Sequence, residues 1–410
     1  MSKQINDNKI ILVFVGLPAS GKSYTSFHLN QYFNWLGYNT KIFNCGDYRR
    51  NIIGNNQDAL FFDSKNRENV KIRESFLNYA LFDLNNFFIK SKGTIAILDA
   101  TNSTKNRRKK ILKFFNLFPY QKKIIFIENI TTDEKIIEKN ILFKKNSKDY
   151  NKFSIEDMKK DFLERLKYYK DSYDSIDDSE NLNYIKFYDC GKKVIYDNIY
   201  GYIESLLLTF LINFKVSDKK IFITRHGQSF YNLESRIGGD SNITDEGTKY
   251  AKKLYNYISL NYKKDEIIIF TSNLKRTIST AKLFIDNNYS VYHKDVLNEI
   301  NGGICENLTY EEVINKFPTL YSNRKKDKFN FKYPEGESYN DLILRLKEFI
   351  LELNRIEKPV LIICHNAIVR VLYSYFFSIK HKDIPYQNIE LHSLECITND
   401  TYFYKKEKVI

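Results

Sequence analysis

Residues 16–24, Gly-Leu-Pro-Ala-Ser-Gly-Lys-Ser-Tyr, constrain the fold of this chain more than any other stretch. They follow a continuous apolar run, KIILVFV at residues 9–15, and they precede a segment with a helical pattern. In such a loop, backbone N–H groups turn inward around phosphate oxygens, and the N-terminus of the following helix adds a positive dipole. The pattern GxxxxGK[ST] between a strand and a helix therefore predicts an α/β sheet with a phosphate-binding loop at its edge.

In this loop, Lys22 is expected to reach the β- and γ-phosphates of a nucleotide, and the Ser23 hydroxyl is expected to ligate Mg²⁺. The alternative is a tight turn that binds no ligand. The residues expected to hold the nucleotide are Gly16, Leu17, Pro18, Ala19, Ser20, Gly21, Lys22, Ser23 and Tyr24.

Apolar strand patterns alternate with helical patterns along the whole chain. The first half contains TKIFN, TIAILD and KKIIFIENI, and the second half contains IFIT, EIIIFTS and KPVLIICH. This alternation predicts two α/β domains in tandem, each a doubly wound and mainly parallel sheet. The polar segment at residues 213–220 suggests a boundary, so the predicted domains are residues 8–214 and 219–400.

Charged residues follow the predicted strands of the first half. Asp99 ends the strand IAIL, where an acid can hold Mg²⁺ through water or orient an attacking hydroxyl, although such a residue is also a common helix cap. Arginines cluster at or just beyond strand ends, and their forks match phosphate geometry. They indicate an anionic co-substrate, with plain surface charge as the alternative, and they are Arg49, Arg50, Arg73, Arg107 and Arg108.

The second half places two histidines directly after strands, His226 in the sequence Arg-His-Gly and His365 after VLIIC. Carboxyl ends of parallel strands meet at one edge of a sheet, so both side chains are expected in one pocket with Arg276 and Glu299. There, His226 would attack phosphorus, while Arg225, Arg276 and His365 neutralise the phosphoryl charge. Glu299 would protonate the leaving alkoxide, for which it needs a raised pKa. No metal is required in this scheme.

Composition limits the possible partners. The net charge of +14 suits nucleic acid, a membrane surface or phosphorylated small molecules, although a lysine-rich solvated surface gives the same value. The five cysteines are scattered without a CxxC pair, which favours a reducing compartment. The N-terminus is polar, and the apolar runs, including LLLTFLINF, are too short to span a membrane. We therefore expect a soluble, cytoplasmic protein.

From about residue 10 to about residue 397 the chain resembles the bifunctional 6-phosphofructo-2-kinase/fructose-2,6-bisphosphatase family, with the kinase half first. The resemblance rests on GLPASGKSY, NWLGYNTKIFNCGDYRR, LDATNSTKNRR, ITRHGQSFYNLESRIGGDS, LNEINGGICENLTYEE, YPEGESYNDLILRL and VLIICHNAIVR. It implies a P-loop NTPase-like fold followed by a histidine-phosphatase-like fold. It also implies that one half makes fructose 2,6-bisphosphate from ATP and fructose 6-phosphate, and that the other half hydrolyses it through a phosphohistidine.

The resemblance assigns roles to individual positions. In the kinase half, Asp99 would be catalytic, residues 16–24 would bind ATP, and Mg²⁺ would be held at Ser23. Fructose 6-phosphate would contact Arg49, Arg73, Thr101, Arg107, Lys145 (or Lys144), Arg165 and Tyr169. In the phosphatase half, which would need no cofactor, the catalytic residues would be Arg225, His226, Asn232, Glu299 and His365. Its substrate would also contact Gly238, Arg276, Tyr310, Arg324, Lys328, Tyr339 and Arg370.

Three positions depart from the family pattern. Ser20 replaces a frequent arginine of the nucleotide loop, Thr131 replaces a cysteine implicated in catalysis, and Asn366 replaces a frequent glutamine. These differences predict a weakened kinase and a looser contact in the phosphatase. The family's basic, phosphorylatable terminal extensions are not visible in this sequence.

Two other functions remain as alternatives. A polynucleotide kinase-phosphatase would use the same motifs, but it predicts a basic groove with interleaved aromatic residues. A non-catalytic scaffold would not need the intact Lys22, Asp99, His226, Glu299 and His365. We therefore expect small-molecule substrates, without nucleic acid or membrane, and we consider a homodimer although no sequence feature decides the oligomeric state.

Overall fold

The computed structural model describes residues 8–55, 57–143, 145, 149–150, 153–400 and 403–410. The chain divides into two compact units, and the division falls between Phe214 and Lys215. Each unit contains one six-stranded sheet. Among the described helices, none is both long enough and apolar enough to cross a membrane.

The sheet of the first unit has the strand order β2-β3-β1-β4-β5-β6. Its strands are β1 (Lys9–Val15), β2 (Thr40–Asn44), β3 (Ile95–Asp99), β4 (Lys122–Ile130), β5 (Tyr184–Tyr188) and β6 (Lys193–Asp197). Only β6 runs antiparallel to its neighbour. Strand β1 is buried from Ile10 to Val15 because it lies centrally in the sheet with helices against it, which explains its unbroken apolar sequence.

The helices of the first unit connect these strands. They are α1 (Lys22–Trp35), α2 (Cys45–Ile53), α3 (Arg67–Lys90), α4 (Lys105–Asn116), α5 (Glu134–Phe143), α6 (Ile155–Lys170) and α7 (Tyr202–Asn213). Strand β2 ends at Asn44, and the next residue already begins α2, because the Asn44 side chain accepts a hydrogen bond from Gly46 N and caps that helix. The arginines that follow β2 are therefore helical rather than part of a loop.

The sheet of the second unit has the order β12-β11-β7-β10-β8-β9. Its strands are β7 (Ile221–Arg225), β8 (Ile268–Thr271), β9 (Ser290–His293), β10 (Val360–Cys364), β11 (Leu394–Asp400) and β12 (Phe403–Lys408). The four strands β7 to β10 are mutually parallel, whereas β11 and β12 are antiparallel to their neighbours at one edge. The prediction of two mainly parallel α/β sheets in tandem is confirmed.

Helices cover both faces of this second sheet. They are α8 (Phe230–Leu233), α9 (Asp245–Asn261), α10 (Lys275–Asp286), α11 (Tyr310–Lys316), α12 (Pro318–Lys326), α13 (Tyr339–Arg355) and α14 (Asn366–Phe376). The register pairs Cys364 with Arg225 and Ile363 with Thr271. The residues that directly follow β7, β8 and β10 therefore lie side by side at one edge of the sheet.

Two candidate active sites

The loop between β1 and α1 has the backbone of a phosphate cradle. Gly16 adopts φ +141°, and a Cβ atom there would lie 2.5 Å from the carbonyl oxygen of Asn129. Gly21 adopts φ +83° and caps α1 without a side-chain hydrogen bond. The first turn of α1 contains no acidic residue. The positive end of this helix is therefore not neutralised within its own first turn and suits an anionic ligand.

Lys22 lies folded back into this loop. Its Nζ donates to Leu17 O at 2.6 Å, and only 8% of the residue is exposed. Asn140 of α5 donates to Ala19 O at 2.7 Å, and Thr131 Oγ1 lies 3.4 Å from Ser20 O. Thr131, the residue aligned with the family cysteine, thus contacts the loop. The contact from Asn140 was missed, because no motif surrounds that residue.

Asp99 is buried at the end of β3, directly across from Asn44 at the end of β2. Asn44 Nδ2 donates to Asp99 Oδ2. The orientation of this amide is fixed, because Asn44 Oδ1 already accepts from Gly46 N at 2.7 Å. The next helix, α4, is capped by Thr104. Asp99 is therefore not the cap of α4, and its carboxylate is held beside the phosphate loop by an asparagine that sequence reasoning did not single out.

Four of the residues expected to bind fructose 6-phosphate meet around the ring of Phe62. The guanidinium carbons of Arg49 and Arg165 lie 5.5 and 4.6 Å from the centre of that ring. Arg73 donates to Phe62 O at 2.9 Å, and the Tyr169 ring lies 5.9 Å from the Phe62 ring. Phe62 itself carries no motif, so its part in organising this cluster could not be read from the sequence.

The arginines of this cluster already have protein partners. Arg49 binds Asp149 at 2.6 Å, and Arg165 binds Asp161 at 2.7 Å. The Nε atoms of Arg49 and Arg73, in contrast, are buried without a hydrogen-bond partner among the described residues. Buried N–H donors of this kind need an acceptor, and a phosphate oxygen provides one.

Three of the remaining predicted residues of this half have other hydrogen-bond partners. Arg107 binds Glu74 at 2.6 Å and Asn102 Oδ1 at 3.1 Å. Thr101 accepts from Gly16 N through its carbonyl at 2.9 Å. Lys145 donates to Phe153 O, and the alternative residue, Lys144, lies outside the described residues.

Arg108 does not belong to the arginine cluster, and that expectation is wrong. Its side chain is fully buried, and it binds both carboxylate oxygens of Glu180 at 2.5 and 2.8 Å. A third bond reaches Asp174 O at 2.9 Å. These bonds account for its charge in the interior, so Arg108 is a structural residue that holds α4 to the segment before β5.

In the second unit the two predicted histidines lie next to each other. Their ring centres are 5.2 Å apart, and His226 N donates to Cys364 O at 3.0 Å. The distance between His226 Nδ1 and Gly227 O is 2.7 Å. Since a carbonyl oxygen only accepts, Nδ1 carries the proton and Nε2 keeps its lone pair. Burial, followed by the charge of Arg276, holds the pKa of His226 well below its ordinary value, so the ring is a neutral nucleophile.

Gly227 follows the nucleophile at a point where two backbone segments pack closely. A Cβ atom at this position would lie 2.5 Å from Gly247 O at the start of α9. Close packing of the β7–α8 connection against α9 therefore requires the missing side chain.

His365 is fixed on both sides of its ring. Arg276 Nε donates to Nδ1 at 3.2 Å, which leaves the ring proton on Nε2, 2.8 Å from Ser272 Oγ. Burial and then Arg276 hold the pKa of His365 well below its ordinary value. The expectation that His365 brings positive charge to a phosphoryl group does not fit this neutral ring. Ser272 was missed, although it directly follows a strand in TSNLKR.

The other expected catalytic residues surround the histidine pair. Arg225 donates from Nη1 to Ile389 O at 2.9 Å, while its buried Nε has no partner among the described residues. Glu299 Oε1 accepts from Ala367 N at 3.2 Å, at the first turn of α14. Asn232 Oδ1 accepts a hydrogen bond from Ser229 N at 3.0 Å, which is one of the two reciprocal bonds of a capping box.

A second group of cations lies beside these residues. Arg370 donates to Tyr339 OH at 3.0 Å, and Arg324 lies over the rings of Tyr310 and Tyr333. Burial, followed by repulsion from Arg324 and Arg370, lowers the pKa of Lys328 to about 8. The repulsion of Lys328 by Arg324 and Arg370 in a partly buried place would be relieved by a multiply charged anion. The contact between Arg324 and Tyr333 was not anticipated.

Comparison with known proteins agrees with this geometry. Residues 1–218 match the family model for 6-phosphofructo-2-kinase, and residues 221–407 match the histidine phosphatase superfamily, branch 1. Both halves of the chain are therefore enzyme domains, and the kinase domain implies the use of ATP.

Curated relatives match almost the whole chain. A 6-phosphofructo-2-kinase/fructose-2,6-bisphosphatase of Aquarana catesbeiana is 38% identical over 99% of this chain and 86% of its own length. The human 6-phosphofructo-2-kinase/fructose-2,6-bisphosphatase 4 is 38% identical over 97% of this chain and 84% of its own length. A Saccharomyces cerevisiae protein named only fructose-2,6-bisphosphatase is 37% identical over 98% of this chain and 89% of its own length.

None of these findings supports a polynucleotide kinase-phosphatase. The two domain matches, their order and the similarity over nearly the full length agree with the resemblance noted in the sequence. The chain belongs to the family of bifunctional 6-phosphofructo-2-kinase/fructose-2,6-bisphosphatases, with the kinase domain first and the histidine phosphatase domain second.

Proposed function

We propose that residues 8–214 phosphorylate fructose 6-phosphate with ATP to give fructose 2,6-bisphosphate, and that residues 219–400 hydrolyse this product back. The observation that carries the proposal is that one chain holds two phosphate sites of different chemistry. One combines a phosphate cradle with a buried acid and a group of arginines. The other presents the unprotonated Nε2 of His226 beside the buried Arg276 and the partly buried Arg225.

For the kinase step we assign the ATP phosphates to the loop at residues 16–24 and to Lys22. Asp99 accepts the proton of the sugar O2 hydroxyl, and the sugar oxygen attacks the γ-phosphorus as the bond from that phosphorus to the leaving ADP breaks. The sugar phosphate is held by the arginine cluster. The Ser23 hydroxyl and the Asp99 carboxylate are oxygen ligands of the type that Mg²⁺ prefers, so they fit this ion. When bound, Mg²⁺ neutralises negative charge on the transferred phosphoryl group.

For the phosphatase step, we assign His226 Nε2 as the nucleophile on the 2-phosphorus. The bond from phosphorus to the sugar O2 breaks as the bond to Nε2 forms, and Glu299 gives its proton to the leaving oxygen. Glu299 then takes a proton from the water that hydrolyses the phosphohistidine. Arg225 and Arg276 balance the phosphoryl charge, so this half needs no further cofactor. His365 is neutral, and it lines the pocket with its ring held by hydrogen bonds to Ser272 and Arg276.

The rest of the bisphosphate is assigned to the second group of cations. Arg324, Lys328 and Arg370 would hold the 6-phosphate, with Tyr310 and Tyr339 beside them. Gly238 would line the pocket near Arg276. We also propose a cytoplasmic location, small-molecule partners only and a homodimer. The scattered cysteines support the first, and the compact phosphate sites support the second.

Incubation with two different acceptors tests this proposal. The purified chain would be given ATP with fructose 6-phosphate, or ATP with an oligonucleotide bearing a 5′-hydroxyl. Radioactive phosphate should appear on the sugar and not on the oligonucleotide. Transfer to the oligonucleotide alone would overturn the proposed substrate.

Thr131→Cys is expected to raise kinase turnover by at least about twofold, which is less than 1 kcal/mol of barrier. Thr131 lies against the loop at Ser20, and the family carries a cysteine implicated in catalysis at this position. The KM for ATP should stay unchanged because the loop backbone is not altered. Initial rates with saturating fructose 6-phosphate would measure both constants, and Thr131→Ser serves as the control. Equal turnover in wild type and Thr131→Cys would contradict the prediction.

Phosphatase KM is expected to rise with pH above about 8. The pKa of Lys328 is lowered to about 8, so the side chain loses its proton, and with it the attraction for phosphate, as the pH rises through that value. A bound phosphate favours the charged form, so the KM should increase by up to about tenfold per pH unit. Lys328→Arg stays charged and should remove this rise. A KM of the wild type that stays constant from pH 7 to 9.5 would contradict the prediction.

A further inference from the structure

The carboxylate of Glu306 joins two loops of the phosphatase unit. Its Oε2 accepts from Gly239 N at 2.5 Å, and its Oε1 accepts from Gly302 N at 2.5 Å. Both bonds are short and charge-assisted, so they are among the strong ones in the unit. No step of the mechanism above uses Glu306.

The backbone around Gly239 is shaped to receive this carboxylate. Gly238 and Gly239 adopt φ +61° and +63°, which side chains rarely tolerate. A Cβ atom on Gly238 would lie 2.0 Å from Glu306 Oε2. Consecutive left-handed residues turn backbone N–H groups toward one side, where an anion can bind them. The position of Glu306 therefore requires a glycine at residue 238, whereas a Cβ atom on Gly239 would instead lie 2.3 Å from the Tyr231 ring. The hydrogen bond from Gly239 N to Glu306 holds the peptide group between the two glycines.

The same loop controls an arginine of the site. Gly239 O accepts from Arg276 Nη1 at 2.7 Å, and Asp240 Oδ1 accepts from Lys275 N at 2.7 Å at the start of α10. Arg276 in turn donates from Nε to His365 Nδ1 at 3.2 Å. A continuous series of bonds thus leads from Glu306 through Gly239 and Arg276 to the histidine pair.

We propose that Glu306 is a positioning residue for phosphate hydrolysis, which holds Arg276 against the two histidines by fixing the peptide groups of Gly239. The proposal rests on the proposed phosphatase function. Glu306 touches neither substrate nor the reacting atoms. Its effect is to keep one guanidinium in the orientation that serves both the phosphoryl group and His365.

Displacement of Arg276 would change how readily the nucleophile is protonated. Burial is the largest cause of the lowered pKa of His226 and of His365, and the positive charge of Arg276 is the second largest. The charged or titratable groups that also act on this pair are Arg225, Arg345 and His392, and Glu299 faces Arg225 and Arg276. If Arg276 moves away, the pKa of His226 rises, and the ring becomes protonated, and inactive, at a higher pH.

The test compares Glu306→Gln with a matched control, Glu311→Gln, an exposed carboxylate five residues along the chain. The glutamine side chain has the same size as the glutamate. Its NH₂ group cannot accept a hydrogen bond, so one of the two bonds from Gly239 N and Gly302 N is lost. We expect phosphatase kcat to fall by at least about tenfold, with a smaller change in KM, because Arg276 acts mainly on the developing charge. The acid limb of the pH–rate profile should move to higher pH. Glu311→Gln should leave both unchanged.

A double-mutant cycle separates positioning from a general loss of structure. In an Arg276→Lys background, which removes the Nε bond to His365, Glu306→Gln should have little further effect. Two results would overturn the proposal. One is that the kcat losses of Glu306→Gln and Arg276→Lys add in the double variant. The other is that the pH–rate profile of Glu306→Gln has a lower maximum but an unchanged acid limb. Kinase activity of the same chain checks that the variants are intact. If the wild type itself does not hydrolyse fructose 2,6-bisphosphate, the proposed function fails instead.

Discussion

His226→Ala is expected to lower hydrolysis of fructose 2,6-bisphosphate by on the order of a thousandfold or more, because it removes the unprotonated Nε2 to which we assign the attack on phosphorus. Kinase turnover should stay at the wild-type level, since the two reactions use different sheets. Substrate with a radioactive 2-phosphate, quenched rapidly in alkali, should leave label on the wild-type chain, because a phosphohistidine is stable to base. The variant should show no label.

Glu299→Gln provides the matching control for this experiment. It keeps the nucleophile and removes the acid, so it should slow turnover while still allowing some label to accumulate. Wild-type enzyme that hydrolyses the substrate but never carries label would contradict a covalent intermediate. Direct attack by water would then explain the reaction, and His226 would act through hydrogen bonding alone.

Lys22→Ala is expected to lower kinase turnover roughly a thousandfold, because loss of one charged contact to the transferred phosphate costs several kcal/mol of barrier. Lys22 is buried in the loop and bonded to Leu17 O, so its ammonium is already at the phosphate cradle. Radioactive transfer from ATP to fructose 6-phosphate measures the loss. Phosphatase activity should stay within about twofold of wild type.

Lys90→Ala, which removes an exposed lysine of the same unit, is the control for Lys22→Ala and should leave both activities intact. A parallel loss of kinase and phosphatase in Lys22→Ala would show that the variant is misfolded or that the two activities are not separate. Retention of kinase turnover would show that the ATP phosphates are not bound in this loop.

Residues at or directly after the ends of parallel strands were the ones that sequence reasoning located best. Asp99 ends a strand, and His226 and His365 each follow one. The common edge of a parallel sheet brings such residues of one sheet together regardless of the loops between them. The same physical rule explains why the two histidines could be paired across more than a hundred residues of sequence.

Residues that act through loops and packing could not be located in this way. Phe62 and Asn140 reach the kinase site because of tertiary folding, and their local sequence has no distinguishing period or motif. Glu306 lies within the motif LNEINGGICENLTYEE, but its contact with Gly239 depends on how the loops fold together. Arg108 was placed wrongly for a related reason. Sequence does not separate an arginine exposed to a ligand from one buried against an acid such as Glu180.

The charge of His365 shows a different limit. Two histidines in a phosphate pocket suggest cations, but the interior disfavours a second positive charge beside Arg276. Whether a histidine is charged depends on the burial and neighbours that only the folded chain supplies. The nucleophilic form of His226 follows from the same balance.

The carboxylates that pair with the kinase arginines have a consequence for ligand selection. Arg49, Arg107 and Arg165 are bound by Asp149, Glu74 and Asp161. In the proposed reaction, an incoming sugar phosphate would therefore have to displace carboxylates that already pair with these arginines. A ligand with one negative charge would bind the arginine about as strongly as the carboxylate that it displaces. A dianionic phosphate has one more negative charge and one more acceptor oxygen than a carboxylate, so it would bind more strongly. We therefore expect these acids to disfavour carboxylated sugars, which carry one negative charge, relative to sugar phosphates.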